Sequence, residues 1–227
     1  MFNVKHLLLL LSFFSVPLTA VSESDSGSGD SGRALLQLQA FSNNLDTFSA
    51  SFEQVIISPN GHAGDALEGK FSLSRPNLFR WDYAGEFPQL IIGDGTKIWI
   101  HDIELEQVSV KAQPQTVAES PALLLLQPES LDDYFVIADL GESEGLALLS
   151  LTPKTEDPTF ERILLGLSDN LPGLLVIEDG FGQRTEIRFS QQQLNQPMSP
   201  QEFIFTAPEG ADIIGDVPVV MGNQELQ

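Results

Sequence analysis

The stretch that decides the fold is residues 69–83, Gly-Lys-Phe-Ser-Leu-Ser-Arg-Pro-Asn-Leu-Phe-Arg-Trp-Asp-Tyr. Apolar and polar residues alternate on both sides of the Arg-Pro-Asn triplet at 75–77, which predicts two β-strands joined by a turn. The proline fixes φ and cannot donate a hydrogen bond to a sheet, so it marks the turn. On the second strand Phe79, Trp81 and Tyr83 share one face. Such an aromatic stripe is typical of a protein core or of the wall of a cavity.

Short strands of the same kind are predicted along most of the chain. Asp94-Gly95 and Asp179-Gly180 are dipeptides of the favoured two-residue hairpin type, and each is expected to join two strands. About eleven short strands with few long crossovers indicate an antiparallel meander that curls into a barrel or half-barrel. The strand candidates are Phe48–Phe52, Leu67–Leu73, Leu78–Tyr83, Gln89–Ile92, Lys97–His101, Leu105–Val110, Tyr134–Ala138, Leu146–Leu151, Phe160–Leu167, Leu174–Glu178, Thr185–Phe189 and Glu202–Thr206.

Two segments have helical patterns. Asp30 or Ser31 is expected to cap the first helix, which is predicted to end near residues 44–46. Four apolar residues at spacings of three and four form its buried stripe: Leu38, Phe41, Leu45 and Phe48. The second helix is short and Leu-rich, at Leu123–Leu126 between Pro121 and Pro128, where the strand pattern is interrupted. Because it is the most apolar piece after the N-terminal segment, it is available to cover an opening in the sheet.

The N-terminal segment has the order of a secretory signal peptide. Residues 1–20 contain Lys5, a run of leucines and phenylalanines, and a small-residue end, so cleavage is expected after Ala20 or Ser22. The apolar run is too short to span a membrane. We expect a flexible acidic tail at 21–32, one domain at 33–210 and a C-terminal extension at 211–227.

Composition excludes several functions. The 227 residues include 32 acidic and 11 basic side chains, for a formal net charge of −21, which argues against nucleic acid as a partner. There is no cysteine, and therefore no disulfide framework, thiolate zinc site or lipidated cysteine. A lipoprotein that is anchored through a lipidated cysteine is thus excluded.

No constellation of catalytic or metal-binding residues is evident. Gly27, Gly29 and Gly32 form a G-x-G-x-x-G pattern, but no strand precedes them, as a dinucleotide site requires. His62 and His101 lie too far apart along the chain for a metal pair, and the G-x-S-x-G sequence of a serine hydrolase is missing. We therefore expect no catalytic, cofactor-binding or metal-binding residues, and a protein that is not an enzyme.

From Leu35 to Gly210 the sequence resembles the LolA family, the periplasmic carriers of outer-membrane lipoproteins. The acidic residues before Gly32, and the length of the C-terminal end, depart from the family pattern. The stretch Arg75–Trp81 is the most specific part of the resemblance. The other matching segments, in the same order, are Phe48–Gln54, Glu68-Gly69, Asp94–Trp99, Leu105–Val108, Pro121–Leu126 and Phe203–Gly210.

The resemblance implies a mainly β fold with some α: an unclosed antiparallel β-barrel of about eleven strands, covered by a lid of about three short helices over an apolar cavity. Arg75 matches a family arginine that latches the lid by donating to helix backbone carbonyls, for which the five donors of a guanidinium are suited. The alternative is a surface arginine at a hairpin. The residues expected to contact acyl chains are Phe71, Phe79, Trp81, Trp99, Leu123, Leu124, Leu125 and Leu126.

The implied function is that of a periplasmic chaperone that carries lipoproteins from the inner to the outer membrane of a Gram-negative bacterium. The implied partners are acylated lipoproteins, an inner-membrane ABC-type releasing complex (LolCDE-like) and an outer-membrane acceptor (LolB-like), with the carrier itself a monomer. One alternative is a periplasmic protein with the same half-barrel that binds another lipid or small molecule. A secreted hydrolase on a β scaffold is the other.

Overall fold

The computed structural model describes residues 32–113, 125, 131–155 and 160–215, and in them one sheet of twelve strands. Helix α1 precedes the sheet, and the four-residue α2 lies between β6 and β7. The elements are α1 Arg33–Asn43, β1 Thr47–Ile57, β2 Leu67–Ser74, β3 Leu78–Ala84, β4 Gln89–Asp94, β5 Lys97–Asp102, β6 Gln107–Ala112, α2 Leu131–Tyr134, β7 Phe135–Ser143, β8 Leu146–Pro153, β9 Arg162–Ser168, β10 Leu171–Glu178, β11 Arg184–Leu194, a 3₁₀ turn Pro200–Phe203 and β12 Asp212–Gly215.

The sheet is unclosed, in the order β12-β6-β5-β4-β3-β2-β1-β11-β10-β9-β8-β7. Every neighbouring pair is antiparallel except β12 and β6, which are parallel. Because most strands are joined by short turns, β1–β6 pair in the order of the chain, and so do β7–β11. The predicted antiparallel half-barrel is confirmed, with one strand more than the expected eleven.

The first helix packs across β7–β10 on the inner face of the sheet. Its predicted stripe is confirmed in part: Leu38 and Phe41 are buried on the helix, whereas Leu45 and Phe48 are buried beyond its end, with Phe48 in β1. Its first turn is capped from a distance: the Oδ2 atom of Asp139 accepts from the N–H groups of Gly32 and Ala34, at 3.1 and 3.0 Å. The expected caps, Asp30 and Ser31, lie outside the described residues.

Two sequence predictions fail near the C-terminus and at the lid. The expected strand Glu202–Thr206 is instead a 3₁₀ turn followed by extended chain, and it lies against the outside of β3 and β4. The last strand comes later, at Asp212–Gly215. In the described part of the chain the helical elements are α1, α2, the helical residue Leu125 and this outer 3₁₀ turn, so the expected count of three lid helices is slightly off.

Candidate binding cavity

One end of the half-barrel is filled and the other is open. Along the inner face of β1, Phe48, Ala50 and Phe52 are buried, Gln54 is half-buried, and Ile56 is 41% exposed. Buried side chains of α1 and the sheet close the end near Phe48. We call the opposite end, toward Ile56, the mouth.

A cavity of about 270 Å³ lies between the two arms of the curled sheet, toward the mouth. For scale, an apolar cavity of about 150 Å³ stays dry and binds benzene. Most of the wall consists of aliphatic and aromatic side chains, so the cavity can bind an apolar ligand. It is lined by Gln54, Phe79, Trp81, Tyr83, Ile91, Ile98, Ile100, Lys111, Leu175, Ile177, Thr185 and Ile187.

Phe79 and Trp81 line the cavity, and their contact with acyl chains stays a prediction. Phe71 is completely buried and packs on Trp81, with ring centroids 4.2 Å apart. Leu125 is helical and 1% exposed. Leu123, Leu124 and Leu126, which were predicted with them, lie outside the described residues.

Trp99 does not line the cavity, contrary to the sequence prediction. Ile98 and Ile100 on either side of it face the cavity, and side chains alternate along a strand. Trp99 therefore projects from the outer face, where it stacks on Phe205 with centroids 5.2 Å apart. Its indole N–H donates to Asp94 at 2.7 Å. The error was one of register: Trp99 has the opposite parity to the inward residues of its own strand.

The aromatic rings of the wall lie over glycines. A Cβ atom at Gly93 would be 2.2 Å from the Phe79 ring, and one at Gly69 would be 2.7 Å from the Phe52 ring and 2.3 Å from the carbonyl oxygen of Asp82. Only glycine leaves room for rings this close to the sheet. The two glycines therefore help to hold Phe79 and Phe52 in place.

Arg75 begins the turn between β2 and β3, and its peptide bond to Pro76 is cis. Its backbone N–H donates to the carbonyl oxygen of Asp46 at 2.9 Å. Its Nη2 atom donates to the Oγ atom of Ser42, in the last turn of α1, at 2.6 Å. This acceptor is a hydroxyl group of α1, and the predicted hydrogen bonds to helix backbone carbonyls stay a prediction. The contact ties the arm that contains β2 and β3 to the helix that packs on the other arm.

Tyr83 in the cavity wall and Asp94 on the outer face of the sheet have shifted pKa values. Burial raises the pKa of Tyr83 to about 12. Burial also opposes ionisation of Asp94, but hydrogen bonds from Trp99, Lys97 and Thr96, together with the positive charge of Lys97, leave its pKa lower than usual. Tyr83 is therefore neutral at physiological pH, while Asp94 is charged.

The contacts of His101 and Asp102 do not form a catalytic or metal-binding group. His101 contacts Phe205 edge-on at 5.8 Å, and the adjacent Asp102 accepts the backbone N–H of Leu105 at 3.0 Å. Within the part of the chain that the structure describes, no three His, Asp or Glu side chains come together to hold a metal ion. None of the described helices is both long and apolar enough to cross a bilayer.

Of the twelve residues that line the cavity, the predicted set of acyl-chain contacts included only Phe79 and Trp81. Leu175, Ile177 and Ile187 come from β10 and β11, far along the chain from the aromatic stripe. Their alternation predicted strands but did not show which strands would lie opposite. Gln54 and Tyr83 were also missed as a pair: Tyr83 ends a predicted strand, while Gln54 lies two residues beyond the predicted strand Phe48–Phe52.

An unclosed antiparallel sheet that curls around an apolar cavity defines a half-barrel binding protein. The particular family follows from sequence: the model of the family "Outer membrane lipoprotein carrier protein LolA" matches residues 43–206, and the chain belongs to this family.

The comparisons with individual proteins agree with the family assignment. An outer-membrane lipoprotein carrier protein of Dechloromonas aromatica (strain RCB) is 43% identical over 81% of this chain and 88% of its own length. One from Methylococcus capsulatus is 38% identical over 79% of this chain and 86% of its own. A crystal structure of an uncharacterized conserved protein from Thermus thermophilus has a TM-score of 0.50 at 13% identity, covering 80% and 98% of the two chains, which shows the shared fold alone.

Proposed function

We propose that this protein carries acylated lipoproteins through the periplasm, from the inner to the outer membrane, with the acyl chains buried in its cavity. The observation that carries this proposal is the apolar cavity itself, which opens at one end of a half-barrel of the LolA family. The relatives described above are named as lipoprotein carriers, in agreement with such a cargo.

The cavity offers an acyl chain the apolar surroundings that it loses when it leaves a bilayer. Each buried CH₂ group is worth about 0.8 kcal/mol, so an acyl chain crosses water slowly without a carrier. Phe79, Trp81 and Ile98 provide the apolar wall that replaces the membrane. At about 270 Å³, the cavity bounded by the described residues is small for several chains, and loading therefore requires the arms to separate.

Arg75 is proposed as the latch that resists this separation. It joins the turn of one arm to α1, which packs on the other arm, through its hydrogen bond to Ser42. A state that is closed when empty lowers the net affinity for cargo, because opening costs free energy at each loading. A carrier needs such a limit on affinity, since it must also deliver what it binds.

The route and the partners are part of the same proposal. Residues 1–20 would direct export and be removed, and the tail at 21–32 would precede the carrier domain. The cargo would arrive from an inner-membrane ABC-type releasing complex and leave to an outer-membrane acceptor. The high negative charge of the chain would discourage its adsorption to anionic membranes between these two steps.

The test is the release of newly made lipoproteins from spheroplasts by the purified mature protein. The wild type and Ser72→Glu are expected to release them, because Ser72 lies on the outer face of β2 between the inward residues Phe71 and Leu73. Ile98→Glu places the same charge inside the cavity and is expected to abolish release.

Onward transfer tests the latch. Arg75→Leu is expected to take up lipoproteins but to pass fewer of them to the acceptor, because the open state then costs less. If the wild-type protein releases no lipoprotein while it still binds free lipid, the cargo assignment is wrong. A general lipid-binding function would replace it.

A further inference from the structure

On β1 and β3, the part of the cavity wall nearer the mouth has hydrogen-bonding side chains. On β3, Phe79 and Trp81 lie deeper, and Tyr83 lies two residues further out, or roughly 7 Å along the strand. Through Gly69 of β2, Tyr83 is in register with Phe52 of β1, and Gln54 lies two residues further toward the mouth. On β1 and β3, hydrogen-bonding side chains therefore lie nearer the mouth than the aromatic residues Phe79 and Trp81.

Gln54 and Tyr83 form a pair in this part of the wall. The hydroxyl of Tyr83 donates to the Oε1 atom of Gln54 at 2.9 Å. This bond engages the amide oxygen and so orients the amide of Gln54, whose nitrogen carries two N–H donors. Because burial keeps Tyr83 neutral, its hydroxyl holds the amide in this orientation across the physiological pH range.

The amide nitrogen of Gln54 has no hydrogen-bond partner among the described residues. This nitrogen is not fully buried. Because Gln54 lines the cavity, the nitrogen is accessible from the cavity. Apolar side chains form most of the wall around it, including Ile177 and Ile187. An N–H donor in this position favours a ligand with an oxygen acceptor at the point where its polar part joins its apolar part.

We propose that Gln54, held by Tyr83, binds a carbonyl oxygen of the ester groups that join acyl chains to the head of the cargo. The proposal rests on the proposed carrier function and adds to it the recognition of the acyl linkage. The chains would extend inward past Trp81 and Phe79, while the linkage stays at the level of Tyr83. In this way the pair would set how deeply the cargo enters.

The experiment compares ester and ether probes. The affinity of the mature protein is measured for a fluorescent diacylglyceryl-cysteine peptide and for its dialkyl ether counterpart, which has the same chains but lacks the two ester carbonyls. One hydrogen bond to a carbonyl is expected to give the wild type a preference of about three- to tenfold for the ester. Gln54→Met keeps the length of the side chain without the amide, and its preference is expected to fall to about one.

Gln193→Met is the matched control, since Gln193 is exposed near the closed end, away from the cavity. It is expected to keep the wild-type preference, and Tyr83→Phe to reduce it, because the amide is then no longer oriented. Gln54→Leu serves as a second variant if Gln54→Met does not fold. The same comparison with diacyl and dialkyl phospholipids shows whether the linkage is recognised with either head group or only on cysteine.

The proposal is overturned if the wild type binds ester and ether probes equally, or if the Gln54 variants keep its preference. Either result leaves the carrier function intact, because release of lipoproteins from spheroplasts is measured separately. If neither probe binds and no lipoprotein is released, the carrier function itself is wrong.

Discussion

Replacing Gly93 by alanine tests how the sheet holds the cavity wall. The new Cβ atom would lie 2.2, 2.6 and 2.7 Å from three carbons of the Phe79 ring. Ordinary contacts between carbon atoms are about 3.5–4.0 Å, so the ring has to move by more than about 1 Å. Phe79 is 3% exposed and borders the cavity, and the cavity is the free space into which it can move. Overpacking of this kind costs about 1–3 kcal/mol.

We therefore expect Gly93→Ala to lower the free energy of unfolding by about 1–2 kcal/mol, because alanine recovers part of the loss through its better backbone entropy. Urea unfolding measures the change, and titration with a fluorescent fatty acid should show weaker binding as Phe79 enters the cavity. Gly64→Ala is the control, since its Cβ would meet its nearest neighbour, the carbonyl oxygen of Ile56, at 3.4 Å. Unchanged stability and fatty-acid affinity in Gly93→Ala would refute the placement of the ring.

Three further predictions concern single contacts. Ser42→Ala should lower the free energy of unfolding by about 1–3 kcal/mol, and by much less in an Arg75→Leu background, as a double-mutant cycle in urea would show. Trp81→Phe should remove the change in tryptophan fluorescence on binding a fatty acid, whereas Trp99→Phe should keep it. The reverse result would show that Trp99, and not Trp81, lines the cavity. Because the pKa of Asp94 is lowered on folding, its contribution is present above its unfolded pKa and is lost as the pH falls below about 4. Thermal melts of Asp94→Asn should accordingly lose part of this acid sensitivity.

The strands were predictable because their signals are local. Alternation placed β2 and β3 within one residue of their observed bounds, with a turn at 75–77 between them. It also put Phe79, Trp81 and Tyr83 on one face, as the structure has them. Side-chain parity within a strand needs no knowledge of the rest of the chain.

Turn lengths were less predictable. Asp179-Gly180 was expected to form a two-residue turn, but the loop between the last paired residues, Glu178 and Arg184, has five residues. The glycine with positive φ is Gly182, at 81°. The Asp179 side chain instead accepts the N–H groups of Phe181 and Gln183, both at 2.9 Å. A dipeptide indicates that a turn is present, while hydrogen bonds across the loop decide its length.

The sequence by itself therefore determined an antiparallel barrel or half-barrel, a buried face on α1 and the aromatic stripe of β3, because these depend on repeats of two or three to four residues. That the barrel is unclosed was implied by the resemblance to the LolA family. Only the tertiary structure decided what faces these stripes. The curl of the sheet places Leu175 and Ile187 across the cavity from Trp81, joins Gln54 to Tyr83, and puts Arg75 beside Ser42. Such pairs lie far apart along the chain, and their meeting depends on the twist and curl of all the strands between them, which no local pattern encodes.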